Sequence, residues 1–124
     1  MTGKQNRRFH RVKFFADAEL KSNSQSWATY ILDISLNGVL IKIPHDCKLE
    51  IDQDCTLSIE LDGSDATIEI AAYIRHLHED KAGLCIHHID LESISHLKRI
   101  IELNSGDTES LNRELSEIML THLE

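Results

Sequence analysis

Three arginines, Arg7, Arg8 and Arg11, lie within five residues near the start of the chain. Each guanidinium presents a planar fork of N–H donors, which matches the oxygens of a phosphate and the O6/N7 edge of guanine. Two lysines accompany them before the first acidic residue, so this segment carries five positive charges. By itself the pattern favours a flexible, solvated basic tail, and an arm that closes over a compact anionic ligand is the alternative.

A second chemically capable group, Asp33, Ser35 and Gly38, follows the spacing D-x-S-x-x-G. An ionised aspartate only accepts hydrogen bonds, so Asp33 can pair with the N1–H and N2–H₂ of guanine or hold an arginine in place. The Ser35 hydroxyl can bond a phosphate or a guanine, and Gly38 can let backbone come close in a turn conformation that few residues tolerate. Taken alone, however, this spacing is more typical of a hairpin corner in which the aspartate caps the turn.

The elements that must position these residues are strands, because polarity along the first ninety residues alternates with a period of two. Strands are predicted over residues 12–20, 27–35, 38–43, 57–61, 68–75 and 83–89. Tyr73 falls on the face opposite the inward isoleucines of its strand. Residues 21–26 (KSNSQS) are expected to form a loop, residues 36–38 (LNG) a turn with positive φ, and residues 79–81 a hairpin turn.

After Asp90 the apolar spacing changes to three and four, which predicts two helices. The first carries the stripe Leu91, Ile94, Leu97 and Ile101 and stops at residues 104–106. The second is capped by Asp107 or Thr108 and carries the stripe Leu111, Leu115, Ile118 and Met119. Short antiparallel strands followed by helices predict an α+β, mainly β, domain with a small six-stranded barrel.

Length and charge limit the classes of function. A chain of 124 residues with 41% apolar residues fits one globular domain. The formal net charge is −8, and beyond the basic segment 8 basic residues face all 21 acidic ones, a balance of −13. Such a body argues against general nucleic-acid binding. No apolar run is long enough for a membrane span and no leader precedes residue 20, so a cytoplasmic protein without a membrane partner is expected.

Cysteines and histidines invite redox and metal interpretations. Cys47, Cys55 and Cys85 lack a CxxC spacing, so reduced and at least half-buried thiols are expected. Four histidines lie on two neighbouring strands and could approach a tetrahedral zinc site across a hairpin: His76, His78, His87 and His88. One of the last two must point inward in a regular strand, and imidazoles on a barrel wall are the favoured interpretation. No metal site is therefore predicted.

Catalytic signatures are missing from the sequence. It contains no nucleophile elbow, P-loop, HExxH motif or convincing carboxylate pair. We therefore predict no catalytic residue, no enzymatic activity and no cofactor.

The two motifs together, in this order on a small β domain, resemble the PilZ family of bacterial receptors for cyclic di-GMP. The resemblance extends from RRFHR through GLCIHHID to the helices, and it is strongest to stand-alone members with an extended helical C-terminus. It implies a single domain with a flexible arginine arm (1–11), a β-barrel (12–89) and a helical C-terminus (90–124).

The resemblance also implies a ligand site and an output. Cyclic di-GMP would bind at Arg7, Arg8, Arg11, Asp33, Ser35 and Gly38, and Tyr73 would stack on a guanine. A monomeric, nucleotide-binding receptor would then pass the second-messenger signal to an unidentified effector protein. Motility, chemotaxis or biofilm polysaccharide are the outputs implied. Asn6 stands where some members that bind a stacked ligand pair carry another arginine, which leaves the stoichiometry open.

Three rival functions remain open at this point. A PilZ-like module could have lost its ligand and bind only protein. A small barrel could bind single-stranded RNA through its basic arm, with Trp27 and Tyr30 as stacking surfaces, in which case binding would weaken steeply with salt. A metal-dependent hydrolase at the histidine pairs would require bound metal.

Overall fold

The computed structural model describes residues 11–61, 66–105 and 113–116. The chain there forms six strands and then a helix, in the order β1 (Val12–Ser22), β2 (Gln25–Ile34), β3 (Gly38–Lys42), β4 (Asp54–Glu60), β5 (Thr67–His78), β6 (Lys81–Ile89) and α1 (Leu91–Ser105). Residues 113–116 are also helical. The predicted order of strands before helices is confirmed, and with it the α+β class.

The six strands close into an antiparallel barrel with the order β1-β2-β3-β6-β5-β4. Closure joins β1 to β4, so that Leu20 pairs with Leu57. The first and last strands of the chain are therefore not neighbours, and β3 lies against β6. This order places the β2–β3 turn beside the middle of β6.

The barrel interior is filled by the apolar residues of each alternating strand, as predicted. Along β5, the side chains of Ile68, Ile70, Ala72 and Ile74 are all fully buried. Tyr73 between them is half-buried on the outer face. Since side chains of a strand point to opposite faces in turn, the outer face is left for polar residues and for binding.

Helix α1 is tied to the barrel at its first turn. Asp90 caps it by accepting a hydrogen bond from the Ser93 backbone N–H at 2.7 Å, and the Ser93 hydroxyl in turn accepts one from the Glu69 N–H at 3.0 Å. Ile94 and Leu97 are buried against the barrel, whereas Leu91, expected on the same stripe, is 62% exposed because it starts the helix. Within the described ranges, no helix is long and apolar enough to cross a bilayer.

The predicted second helix falls largely outside the described residues. The caps proposed at Asp107 or Thr108 and most of its apolar stripe lie there. Leu115, in the short helical stretch 113–116, packs against the hydrophobic core.

Of the two other turn expectations, one was wrong and one is confirmed. Residues 21–26 are not a loop, because Ser22 pairs with Gln25 and only Asn23 and Ser24 turn the chain, with φ of 54° and 67°. Two residues with positive φ make a tight hairpin whose twist suits the flanking strands. The turn at residues 79–81 is confirmed, with Glu79 at a φ of 56°.

The expectation that His87 or His88 points inward was also wrong. The register between β5 and β6 shifts at this point: Ala72 pairs with Ile86, but Ala71 pairs with His88. His87 is the extra residue of a β-bulge, and neither histidine is buried. Regular alternation would have turned one of the two histidines toward the core, and the bulge lets both stay out of it.

Candidate functional site

The turn between β2 and β3 is organised by the Ser35 side chain. Its hydroxyl oxygen accepts hydrogen bonds from the backbone N–H groups of Asn37 at 3.2 Å and Gly38 at 3.0 Å. The Ser35 N–H donates to the Gly38 carbonyl at 2.9 Å. Serine hydroxyls favour such local turns because they satisfy backbone donors that the turn leaves unpaired. In this structure the Ser35 side chain is buried and serves the turn itself.

Gly38 is required by a close approach of two strands, not by a special backbone conformation. A Cβ built on Gly38 would lie 2.7 Å from the carbonyl oxygen of Leu84 on β6. Neither Asn37 nor Gly38 adopts a left-handed φ, so the expected positive φ in this turn was wrong. The Ser35 hydroxyl accepts the hydrogen bonds of the turn's backbone N–H groups, so the turn does not require a positive φ. The Ile86 N–H also donates to the Asn37 carbonyl at 3.0 Å, which fixes the turn to β6.

Asp33, at the start of the same motif, lies in a different environment. It pairs with Lys13 on β1 and Leu40 on β3, and its side chain is only 16% exposed. Arg11 approaches it with Nη1 at 3.4 Å from Oδ1. Despite that distance, Asp33 Oδ1 accepts no hydrogen bond in the described part of the chain, since the guanidinium is not aligned with it. A shielded acceptor therefore stands beside a cation.

The strands next to this motif place two glycines on the outer face beside Cys85. Gly38 pairs with Cys85, and Cys85 pairs with Tyr73, so the three lie in a row across β3, β6 and β5. Gly83 lies two positions from Cys85 on the same outer face of β6. Neighbouring strands are about 4.8 Å apart, so about 10 Å separates the backbones of Gly38 and Tyr73. We call this surface of Gly38, Gly83 and Cys85 the glycine shelf.

Tyr73 borders the glycine shelf with two polar neighbours. Arg75 donates a hydrogen bond from Nη1 to the Tyr73 hydroxyl at 3.3 Å, and the His87 ring lies 6.2 Å from the Tyr73 ring at an angle of 35°. The nearby Cys85 thiol raises the pKa of Tyr73 and outweighs the opposite effect of Arg75. The phenol is thus neutral at physiological pH and keeps an aromatic face at the edge of the shelf.

The predicted site residues thus lie in three neighbouring places. Arg11 and Asp33 form one cluster, Ser35 and Gly38 build the adjoining turn, and Tyr73 stands across the glycine shelf. Arg7 and Arg8 lie outside the described residues. Sequence reasoning did not assign Gly83, Cys85, Arg75 or His87 to this site. The alternation in GLCIHHI gave the only signal, because it directs Gly83 and Cys85 to the outer face.

The remaining cysteines and histidines form no second site in the described ranges. No group of three His, Cys, Asp or Glu side chains there is placed to hold a metal ion. All three cysteines are free, as expected, and none is fully exposed. Burial, with smaller contributions from Asp54 and Cys47, raises the pKa of Cys55 to about 11, so this thiol stays protonated.

A model of the PilZ domain matches residues 5–103, which is most of the chain. The chain belongs to the PilZ domain family. PilZ domains are receptor or adaptor modules, and the family ligand is cyclic di-GMP. The match begins inside the arginine segment and ends near the end of α1.

Solved PilZ structures share the fold at low sequence identity. The inhibitor of motility MotI/DgrA from Bacillus subtilis superposes with a TM-score of 0.69 at 18% identity, over 92% of this chain and 54% of that one. The chain thus spans about half the length of MotI. The PilZ domain of YcgR from Escherichia coli, determined with c-di-GMP, superposes with a TM-score of 0.65 at 17% identity, over 91% of this chain and 96% of that one. The PilZ domain of CeSA from a cellulose-synthesizing bacterium superposes with a TM-score of 0.59 at 19% identity, over 78% of this chain and 96% of that one.

Proposed function

We propose that this PilZ protein is a cyclic di-GMP receptor and adaptor in the bacterial cytoplasm. In this proposal the ligand orders the arginine arm (1–11) against the barrel (12–89), and a partner protein reads the altered surface. The helical C-terminus (90–124) completes a single, monomeric domain. The observation that carries the proposal is the shielded Asp33 carboxylate, which stands beside Arg11 with an oxygen that accepts no hydrogen bond in the described part of the chain.

The two ends of the site suit the two chemical parts of the ligand. Asp33 can accept the N1–H and N2–H₂ of a guanine, which are paired donors matched to a carboxylate. Arg7, Arg8 and Arg11 can bind the phosphates or the O6/N7 edge of a guanine. The glycine shelf has no side chain at Gly38 and Gly83, which suits a flat base against the backbone, and Tyr73 offers an aromatic edge to it.

Ser35 and Gly38 have an indirect role in this proposal. Because the Ser35 hydroxyl already bonds the backbone of its own turn, its main contribution is to hold Asp33 and the shelf at a fixed separation. Gly38 keeps β3 close to β6 and adds no side chain above the shelf. Both residues therefore preorganise the surface that the ligand meets.

The energetics of an ordering arm are compatible with a reversible signal. Fixing about five residues costs roughly 1–2 kcal/mol each in backbone entropy. Charge-assisted hydrogen bonds return about 1.5–3 kcal/mol apiece. Four or five such bonds, together with stacking, leave a surplus compatible with about micromolar binding, near −8 kcal/mol. Such affinity lets the arm respond to changes in ligand concentration.

The RNA-binding alternative is weakened by the positions of its aromatic residues. Trp27 pairs with the fully buried Leu20 and packs against the core, whereas Tyr30 is 42% exposed on the outer face. Residues three apart on a strand point to opposite faces. Trp27 and Tyr30 therefore do not form a shared stacking surface.

Calorimetric titration with cyclic di-GMP tests the proposal and gives affinity and stoichiometry together. Arg7→Ala and Arg11→Ala should each weaken binding about tenfold to a hundredfold, because each removes charge-assisted contacts. Arg99→Ala, at an exposed position of α1, is the matched control and should bind like the parent. Equal binding by all three variants would contradict the arginine arm. Binding to short RNA that competes fully with the dinucleotide would favour the rival function.

The ordering step has a separate test. Backbone amide order parameters for the arm residues 6–11 should rise from flexible values, below about 0.6, toward the rigid range as ligand is added. An arm that is equally rigid before and after saturation would disprove ordering on binding and leave the ligand assignment intact.

A further inference from the structure

Two aromatic side chains lie exposed beside each other on the outer face of β1 and β2. Phe15 is 70% exposed and Tyr30 is 42% exposed. Tyr30 pairs with Asp17, two residues beyond Phe15. A β-bulge between Lys13 and Ala16 includes Phe15, and bulges re-aim side chains on a strand. Single exposed apolar residues are common on protein surfaces, but adjacent aromatic rings are a recognised mark of binding surfaces.

These two rings border a shallow, open groove of about 320 Å³ that Ala16, Asp17 and Glu60 complete. Within the described ranges, neither Asp17 nor Glu60 forms an ion pair. We call Phe15, Asp17, Tyr30 and Glu60 the aromatic–acidic groove. It therefore offers apolar rings and two negative charges that no described cation offsets.

Two cations near the groove are already engaged. Lys42, on the strand next to Tyr30, donates a hydrogen bond to Asp80 at 2.6 Å. Lys21, further along β1, lies 3.6 Å from Glu19. Neither ammonium group is therefore directed at the groove, and its local charge stays negative.

We propose that the aromatic–acidic groove docks a basic segment of a partner protein, in which arginine or lysine side chains alternate with apolar ones. Guanidinium and ammonium groups bind over aromatic faces and pair with carboxylates, and the apolar stems of these side chains cover ring surface. The groove adjoins Lys13 and Asp33 on the same two strands, so it continues from the candidate ligand site. The inference rests on the proposed function for one point only, that the partner is the effector that reads the ligand state.

The charge of the groove argues against other classes of occupant. Anionic lipid surfaces and nucleic acids would meet Asp17 and Glu60 with like charge. The arginine arm is itself basic, in this chain or in a second copy, and both are alternatives that the experiment separates from a partner. An acidic partner would be repelled.

The test is a titration of the isotope-labelled full chain, without cyclic di-GMP, with a short peptide that repeats arginine, leucine and serine. Amide shifts should be confined to residues 14–18, 28–32 and 58–61. The double variants Phe15→Ser/Tyr30→Ser and Asp17→Asn/Glu60→Gln should each bind about tenfold more weakly or worse. Asp46→Asn/Glu50→Gln changes two exposed acidic residues elsewhere and should leave peptide binding unchanged.

Several results would overturn the inference. A matched peptide with glutamate in place of arginine could bind equally well, or the groove variants could keep the parent affinity. Concentration-dependent shifts of the same amides without peptide would make the groove an interface between copies. Groove amides that move in Arg7→Glu/Arg8→Glu without peptide would make the chain's own arm the occupant. Because cyclic di-GMP is absent throughout, failure of ligand binding would reject the receptor function and leave this result standing.

Discussion

The two ends of the motif from Asp33 to Gly38 differ in whether their polar groups have hydrogen-bond partners within the fold. At one end, Ser35 and Gly38 use their polar and steric properties inside the fold, through hydrogen bonds of 3.0–3.2 Å and a contact that admits no Cβ. At the other end, Asp33 keeps a shielded oxygen that accepts no hydrogen bond in the described residues. One half of the motif builds the scaffold, and the other half keeps an acceptor that we propose a ligand uses.

This difference separates stability from binding within a single short motif. A buried polar group without a partner is costly, so proteins retain one where it has a use. Substitutions at Gly38 and Ser35 should therefore lower stability, while substitution at Asp33 should lower ligand affinity. The predictions below test that division from the largest expected change in stability to the smallest.

Gly38→Ala should lower the free energy of unfolding by about 2–3 kcal/mol, because its Cβ would collide with the Leu84 carbonyl across two paired strands. Chemical denaturation of the purified variant measures this. Gly83→Ala is the matched control: its Cβ would meet the His76 side chain at 3.4 Å, which can yield. A larger loss of stability at Gly83 than at Gly38 would contradict the close approach of β3 and β6.

Ser35→Ala should cost about 1–2 kcal/mol of stability, because the N–H groups of Asn37 and Gly38 lose their acceptor inside a buried turn. The same denaturation experiment measures it. Ser95→Ala removes an exposed hydroxyl that only bonds its own helix at 2.9 Å, and it should change stability by less than about 0.5 kcal/mol. Full stability in Ser35→Ala would instead point to a direct ligand role for the hydroxyl.

Much of the scaffold could be predicted from the sequence because its signals are local. Alternation along β5 identified its inward isoleucines and placed Tyr73 outside. The order of the two motifs, through the family resemblance, selected Arg11 and Asp33, which the fold brings to 3.4 Å. For the strands, the residue type and its neighbours in the chain were sufficient.

The remainder depends on contacts between distant parts of the chain. The glycine shelf exists only because β3 lies against β6 and β6 against β5, an order that no local pattern contains. The use of the Ser35 hydroxyl within its own turn, and the bulge at His87, are set by hydrogen-bond geometry and register. Residue type alone could not distinguish a turn-forming serine from a ligand-binding one.

Asp33→Asn should have the smallest effect on stability of the three, less than about 1 kcal/mol, because it removes a misaligned ion pair and keeps the shape of the side chain. Thermal unfolding measures this change. A severe loss of stability would show that Asp33 is a structural residue like Ser35, and the division within the motif would fail.

The most direct test of the central claim is calorimetric titration of the parent, Asp33→Asn and Asp46→Asn with cyclic di-GMP. Asp46 is exposed with a φ of 65°, a conformation that asparagine also accepts, so it controls for the change of charge. The account predicts about micromolar binding by the parent and Asp46→Asn, and affinity about tenfold to a hundredfold lower for Asp33→Asn. Equal affinity in all three proteins, or no binding by a folded parent, would contradict it.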